Sequence, residues 1–273
     1  MPFAGLRVLS LESRRAAEIE TLIRAQNGVP LVAPSMREVP LGENPQALAF
    51  AERLFHGEFD IVILLTGVGA RYLNQLIESR WPPGAFADAL RSVSVIVRGP
   101  KPMAVMREWA VPVAALAPEP NTWHEVLAVM PPDIAGKQIA VQEFGRPSTE
   151  LIDALAARGA AVASVPVYQW DLPLDLAPLR DAARRLAAGE IDVVLLTTGV
   201  QIQHLLRVAA EMNLETAVGS QLKHTMLASI GPSTSEALAD LGLRPDFEPS
   251  HPKMGILVRE AAAQAHRILQ SKQ

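Results

Sequence analysis

Along this chain, short unbroken apolar runs alternate with longer stretches in which apolar residues return every three or four positions. Arg7-Val8-Leu9-Ser10-Leu11 is a run of strand length. Ala16, Ile19, Leu22 and Ile23 then form a helical stripe within residues 15–26, and Gly28 follows as a helix stop. Leu179 to Ala188 has the same helical spacing and ends at Gly189. Asp192 to Leu196 is a continuous apolar run, the pattern of a strand buried on both faces. Gln201 to Met212 reads as a helix, Leu227 to Ile230 as a strand, and Ser233 to Leu241 as a helix closed by Gly242. This alternation predicts an α/β protein whose parallel sheets are flanked by helices.

The pattern occurs twice. His56-Gly57-Glu58-Phe59-Asp60-Ile61-Val62-Ile63-Leu64-Leu65-Thr66-Gly67-Val68 matches the segment Ala188 to Val200 without a gap. Gly57 falls on Gly189, Asp60 on Asp192, Thr66 on Thr198 and Gly67 on Gly199, each 132 residues apart. The same offset carries Gly99-Pro100 to Gly231-Pro232 and Pro120 to Pro252. One residue fewer carries Gly28 to Gly159 and Glu12 to Glu143. One offset kept across separate landmarks points to a duplicated domain. Two copies this long are not a solenoid, which needs shorter and more numerous repeats.

Two proline-containing extended stretches, Val29 to Leu41 and Ala160 to Pro173, carry no helical stripe and lie where the copies meet. Read as paired crossings, they make the first domain discontinuous. The expected division is 1–33 plus 174–273 for domain one and 40–163 for an inserted domain two, with linkers at 34–39 and 164–173. A length of 273 residues suits two domains.

Composition narrows the function classes. Hydrophobic residues make up 49% of the chain and charged residues 20%, which argues for packed cores and against disorder. The absence of cysteine excludes disulfides, a thiol nucleophile and thiolate metal ligands. A formal charge of −4 does not suit a nucleic-acid binder. The start of the chain has no signal-peptide pattern, and no apolar run approaches membrane-spanning length. A soluble, cytoplasmic monomer is the expectation, with no membrane or nucleic-acid partner.

Three segments resemble uroporphyrinogen-III synthases. The apolar strand ending at Thr198-Gly199 is similar to the family's strand–Thr/Ser loop. Ile230-Gly231-Pro232-Ser233-Thr234-Ser235-Glu236-Ala237-Leu238 is similar to its Ile-Gly-Pro-x-Thr segment. Gly159 to Tyr168, ending Val165-Pro166-Val167-Tyr168, resembles its returning linker. Two positions depart from the family's pattern. Glu12 stands near the place of an Arg that often follows the first strand, with Arg14-Arg15 just beyond, and Thr66-Gly67-Val68-Gly69 replaces a Thr-Ser type of loop. The resemblance implies two flavodoxin-like α/β domains joined by a two-stranded linker, with the active site in a cleft between them. It also implies a cofactor-free and metal-free lyase of heme and other tetrapyrrole biosynthesis, acting on hydroxymethylbilane. A catalytically silent tetrapyrrole- or small-ligand-binding regulatory domain of the same fold is the alternative. A periplasmic-type receptor is a third, disfavoured by the lack of a signal peptide.

A substrate with eight carboxylates needs anion contacts, and helix N-termini after parallel strands supply them. The candidates are Thr66-Gly67 and Gly99-Pro100-Lys101 in one copy, and Thr198-Gly199 and Gly231-Pro232-Ser233-Thr234 in the other. The same Thr and Ser residues would also serve simply as helix caps. Tyr168 is the candidate acid for the departing hydroxyl, because a phenol donates a hydrogen bond at neutral pH; a packed strand aromatic is its structural reading. Arg14, Arg15, Arg37, Arg98, Lys101, Arg146 and Lys253 are candidate carboxylate contacts, though most such charges are ordinary solvated surface. Gly67-Val68-Gly69 lacks the third glycine of a dinucleotide loop, since Tyr72 holds that place. The six histidines show no zinc-type pairing, and the four tryptophans are scattered.

Overall fold

The computed structural model describes every residue except Met1, Glu43, Phe144, Arg146 and Gln273. In chain order it begins with β1 (Arg7–Ser10), α1 (Ala16–Ala25), β2 (Val29–Val32) and β3 (Arg37–Pro40). There follow α2 (Pro45–Phe55), β4 (Ile61–Leu64), α3 (Gly67–Glu78), α4 (Ala85–Leu90), β5 (Ser94–Val97), α5 (Pro100–Glu108) and β6 (Ala115–Leu116). Next come α6 (Trp123–Ala128), β7 (Gln138–Gln142), α7 (Thr149–Ala157), β8 (Ala161–Val165) and β9 (Tyr168–Asp171). The chain closes with α8 (Ala177–Ala187), β10 (Val193–Leu196), α9 (Gly199–Glu211), α10 (Glu215–Leu222), β11 (Met226–Ser229), α11 (Pro232–Ala239) and α12 (Met254–Gln270).

These elements form two compact units. Unit 1 is Met1–Arg37 with Asp171–Gln273, and unit 2 is Glu38–Trp170. The sheet of unit 1 has the order β11-β10-β1-β2, and that of unit 2 the order β6-β5-β4-β7-β8. Every pairing within these two sheets is parallel. Parallel neighbours need crossovers, and helices on both faces bury the strands. The strands β4, β10 and β11 are accordingly buried at every position.

The sequence repeat is a structural repeat. Adding 132 takes the starts of α2, β4, α3, β5 and α5 onto those of α8, β10, α9, β11 and α11. It also takes the Ile96–Ala115 pair of β5 and β6 onto the isolated bridge between Ala228 and Phe247. Adding 131 takes Arg7 of β1 onto Gln138 of β7. The two sheets thus share one spatial order, but the chain enters them at different points. Unit 1 has the flavodoxin order, with β1 beside β10 (Val8 opposite Val193). In unit 2 the corresponding neighbours are β7 and β4 (Ile139 opposite Ile61).

Alternate residues of each strand serve opposite layers. Leu9, Val194 and Leu196 pack with Leu179, Leu186 and Leu205 on one face of the unit 1 sheet. Val8, Val193 and Leu195 pack with Ile19, Leu257 and Val258 on the other. Each such aliphatic side chain contributes about 1.5–3 kcal/mol on burial. The helix starts are specified locally. Pro45 opens α2, Asn44 Oδ1 accepts from Ala47 N at 3.0 Å, and the buried Ala47, Ala51 and Leu54 recur at helical spacing.

One expectation needs correcting in its detail. The extended stretches beginning at Val29 and Ala160 are not crossings throughout. Their first parts are the edge strands β2 and β8, so residues 164 and 165 of the expected second linker lie inside a sheet. Half-exposed edge strands tolerate Pro30 and polar neighbours, and in sequence they look like linkers. Only β3 and β9 form the separate two-stranded sheet. There Arg37 is bound to Asp171 at 2.8 Å and to the Leu172 carbonyl at 3.0 Å.

Asp192 precedes the central strand of unit 1, and both the Arg7 amide and the Arg7 guanidinium donate to it at 2.7 Å. Burial alone would raise this carboxyl, but the Arg7 hydrogen bonds and charge outweigh it and hold the group below the usual carboxylate range. The pair's stabilisation is therefore complete above the unfolded value of ~4 and is lost as pH falls through the lowered one. Asp192→Asn should lower stability at neutral pH and flatten the acid limb of a urea-melt pH profile. Gly199 gives a second check. A Cβ there would meet Ala237 Cβ at 2.2 Å, whereas at Gly219, inside α10, it would meet nothing within 4 Å. Gly199→Ala should destabilise by about 1–3 kcal/mol, and Gly219→Ala should stabilise by about 0.5–1 kcal/mol.

Candidate functional site

In each unit the strand order reverses between the central strand and its neighbour, β10 and β1 in unit 1 and β4 and β7 in unit 2. Open parallel sheets bind ligands outside the carboxyl ends of the strands at such a point. The loops emerging there are Leu11–Arg15 and Thr197–Gly199 in unit 1, and those after Leu65 and Gln142 in unit 2.

In unit 1, Glu12 ties the two loops together. One carboxylate oxygen accepts from the amides of Arg14 (3.1 Å) and Arg15 (3.2 Å), and the other accepts from the Thr197 hydroxyl. Gln201 returns from the first turn of α9. Its Oε1 accepts from Thr197 N at 2.8 Å and Thr198 N at 3.4 Å, and its Nε2 donates to Thr197 Oγ1 at 2.8 Å. The guanidinium of Arg15 is bound to Glu18. The next junction, after β11, places Ser233 at the surface and buries Thr234. Ser229 and Ser235 are linked there at 2.9 Å, and Glu248 accepts from Ser235. Lys253 is exposed and follows Pro252, which lies close to Gly231.

In unit 2, Thr66 Oγ1 accepts from Gly69 N at 3.0 Å, and the Tyr168 hydroxyl lies 3.5 Å from it. Tyr168 is only 3% exposed and packs against Tyr72 and Trp170 with ring centroids 5.9 and 6.4 Å away. The fold thus brings together two candidates that are 102 residues apart in sequence. Thr66 N donates to Gln142 Oε1 at 3.2 Å. Glu143, the repeat partner of Glu12, is buried and accepts from Ser148 N at 3.1 Å. Gly67 is buried against α5, where a Cβ would meet the Lys101 carbonyl oxygen at 2.8 Å. Gly67 and Gly199 therefore permit close helix approach beside these loops. Lys101 is exposed, Arg98 is half-buried, and Arg146 lies outside the described residues.

The reading of the sequence missed Thr197, Gln142 and Gln201. Gln201 carries a local signal, a Gln three residues after a Thr helix cap. Gln142 becomes legible only when the copies are compared. Position 201 corresponds to Gly69, and position 142 to Leu11. Each unit uses one Gln to satisfy the amides at the end of its central strand, but from a different element. A Cβ at Gly69 would come within 2.0 Å of Gln142 Nε2, so the glycine makes room for the glutamine.

The two edges present hydroxyls, backbone amides, a phenol and nearby cations. That set suits hydrogen bonding and anion binding. Among the described residues no group of three His, Asp or Glu side chains is placed to hold a metal ion. Among them also, no helix is long and apolar enough to cross a membrane.

Residues 17–259 match the model of the family described as Uroporphyrinogen-III synthase HemD. An uncharacterized Bacillus subtilis protein, YjjA, is 28% identical over 262 residues, covering 94% of this chain and 95% of its own length. The fold is that of solved uroporphyrinogen III synthases. A mutant of the Thermus thermophilus protein aligns with a TM-score of 0.71 at 23% identity, covering 98% of this chain and 100% of its own. The Helicobacter pylori protein aligns with a TM-score of 0.54 at 13% identity, covering 94% and 99%.

The glutamine exchange can be tested by a double-mutant cycle on stability. Gln142→Leu alone should cost about 1–3 kcal/mol, because it strips the Thr66 amide of its partner. Gly69→Gln alone should also destabilise, by collision. Together they install the arrangement of unit 1 and should recover at least half of the summed loss, a coupling of the size seen between touching residues. Additive losses in urea melts would count against the exchange.

Proposed function

Because the chain belongs to the uroporphyrinogen-III synthase family, we propose that it is a cyclising hydro-lyase that converts hydroxymethylbilane into uroporphyrinogen III. The linear tetrapyrrole loses its hydroxyl as water, its last pyrrole inverts through a spiro intermediate, and the macrocycle closes. The observation that carries this reading is the family match across residues 17–259. The loop chemistry accords with what the reaction requires.

Pyrrole nitrogens expel the hydroxyl by stabilising the azafulvenium cation, so the protein needs no cofactor for that step. Its tasks are to hold a flexible polyanion, bring its ends together and assist the leaving group. In our assignment Tyr168, whose hydroxyl lies 3.5 Å from that of Thr66, supplies acid assistance to the departing hydroxyl. The amides and hydroxyls at Gly67, Thr198, Gly199, Ser233 and Thr234 hold carboxylates, together with Arg14, Arg98, Lys101, Arg146 and Lys253.

One observation favours a second reading, a catalytically silent tetrapyrrole binder. Glu12 places a carboxylate on the amides after β1 in unit 1, where a substrate carboxylate would otherwise find free donors. One assay separates the two. The protein is incubated with enzymatically generated hydroxymethylbilane, the product is oxidised, and isomers I and III are resolved by chromatography. Isomer III, absent from an uncatalysed control that closes without inversion, is the expected result. Isomer I alone, with product still bound, would establish the silent binder. Tyr168→Phe should slow formation of isomer III by roughly tenfold, less than an indispensable acid would cost because the substrate ionises unaided. Unchanged turnover in that variant would remove Tyr168 from the mechanism.

A further inference from the structure

Unit 1 holds a cavity of about 490 Å³ at the end of its sheet opposite the loops described above. It lies between the starts of β1 and β10, the end of α10 and the last turns of α12. Unit 2 has a depression of about 380 Å³ in the related place. Gly189, Gln221 and His224 line the first, and Gly57, Ala89 and Ser92, each 132 residues earlier, line the second. The duplication is therefore an internal control. Unit 2 adopts the fold with Ala and Ser at these positions, and Phe55 and Trp81 pack in its depression with centroids 5.2 Å apart. The fold does not demand a glutamine and a histidine there.

The one carboxylate and the one ammonium that line the unit 1 cavity are each paired. Asp192 is paired with Arg7 at 2.7 Å, and Lys272 with Asp246 at 2.6 Å. What remains is hydrogen-bonding capacity. The side-chain amides of Gln221 and Gln270 line it with no hydrogen bond among the described residues. The imidazoles of His224 and His266 each use one nitrogen, toward the Lys272 carbonyl at 3.4 Å and the Phe3 carbonyl at 3.1 Å, which leaves the other nitrogen of each available. Ile191 and Leu269 supply an apolar wall. An ion entering beside these two paired charges would lose hydration without gaining the full counter-charge of either. A carboxamide offers a donor beside an acceptor, which matches the edge of a heterocycle.

We propose that this cavity is a second binding site, for an uncharged, flat heterocycle of nucleoside size that carries adjacent hydrogen-bond donors and acceptors. The volume falls within the range of small-molecule pockets. The site is separate from the strand-end loops and does not rest on the cyclase reading.

The test is calorimetric titration of the full chain with adenosine, guanosine, cytidine and uridine, with inorganic phosphate as the charged control. At least one nucleoside should bind with a Kd below about 1 mM. Gln221→Ala with His224→Ser, which installs the residues of unit 2, should weaken that binding by roughly tenfold or more while leaving Tm in place. Gln270→Ala, on the exposed side of α12, should weaken it in the same direction and serves if the double variant folds poorly. Failure of all four nucleosides to bind below that limit would overturn the proposal. So would undiminished binding by the variants, or phosphate competing for the cavity.

Discussion

The central strand of each unit is parallel to both of its neighbours and buried on both faces, and much of the molecule follows from that arrangement. A strand such as β10, with Val193 to Leu196 enclosed, has no face for polar side chains, so its chemistry is displaced to its ends. At the leading end Asp192 takes the Arg7 amide and guanidinium. At the trailing end the chain must enter a helix at once, leaving backbone amides that demand acceptors. Parallel pairing then places two such ends side by side where the strand order reverses. The candidate site is the place where this demand is met by hydroxyls and carboxamides.

The duplication shows how much freedom that demand leaves. Both copies keep Thr and Gly at the helix entrance, and in both the glycine is fixed by contact. Gly67 meets the backbone of α5, and Gly199 meets Ala237 of α11. The acceptor is not fixed. Unit 1 draws it from α9 as Gln201, and unit 2 draws it from β7 as Gln142. The paired glutamates have also diverged, since Glu143 is buried while Glu12 is half-exposed and bridges two loops.

Strands and helices whose pattern is local were legible in the sequence. The apolar run from Asp192 to Leu196 is β10, and the stripe from Leu179 to Leu186 is α8. The parallel α/β class followed from their alternation. Edge strands were not separable from crossings, because β2 and β8 lack the continuous burial that marks a central strand. The site was legible in part. Thr66 and Tyr168 were both candidates, but nothing local indicates that their hydroxyls lie 3.5 Å apart. Thr197 and Gln142 act through partners distant in the chain, Glu12 and Thr66 respectively. Such partnerships leave no periodicity to read.

The chain's two-point entry into unit 1 has a consequence for synthesis. Arg7 and Asp192 are 185 residues apart, and β1 pairs on its inner side only with β10. At about 5–20 residues per second, the first strand leaves the ribosome roughly 10–40 s before its partner exists. During that interval unit 2, whose strands β4 to β8 are contiguous, has all its own pieces in hand. The order of completion is therefore the reverse of the order of appearance. The domain that begins first closes last, and Val8 and Leu9 must stay out of aggregation on the strength of a two-stranded fragment with α1 alone.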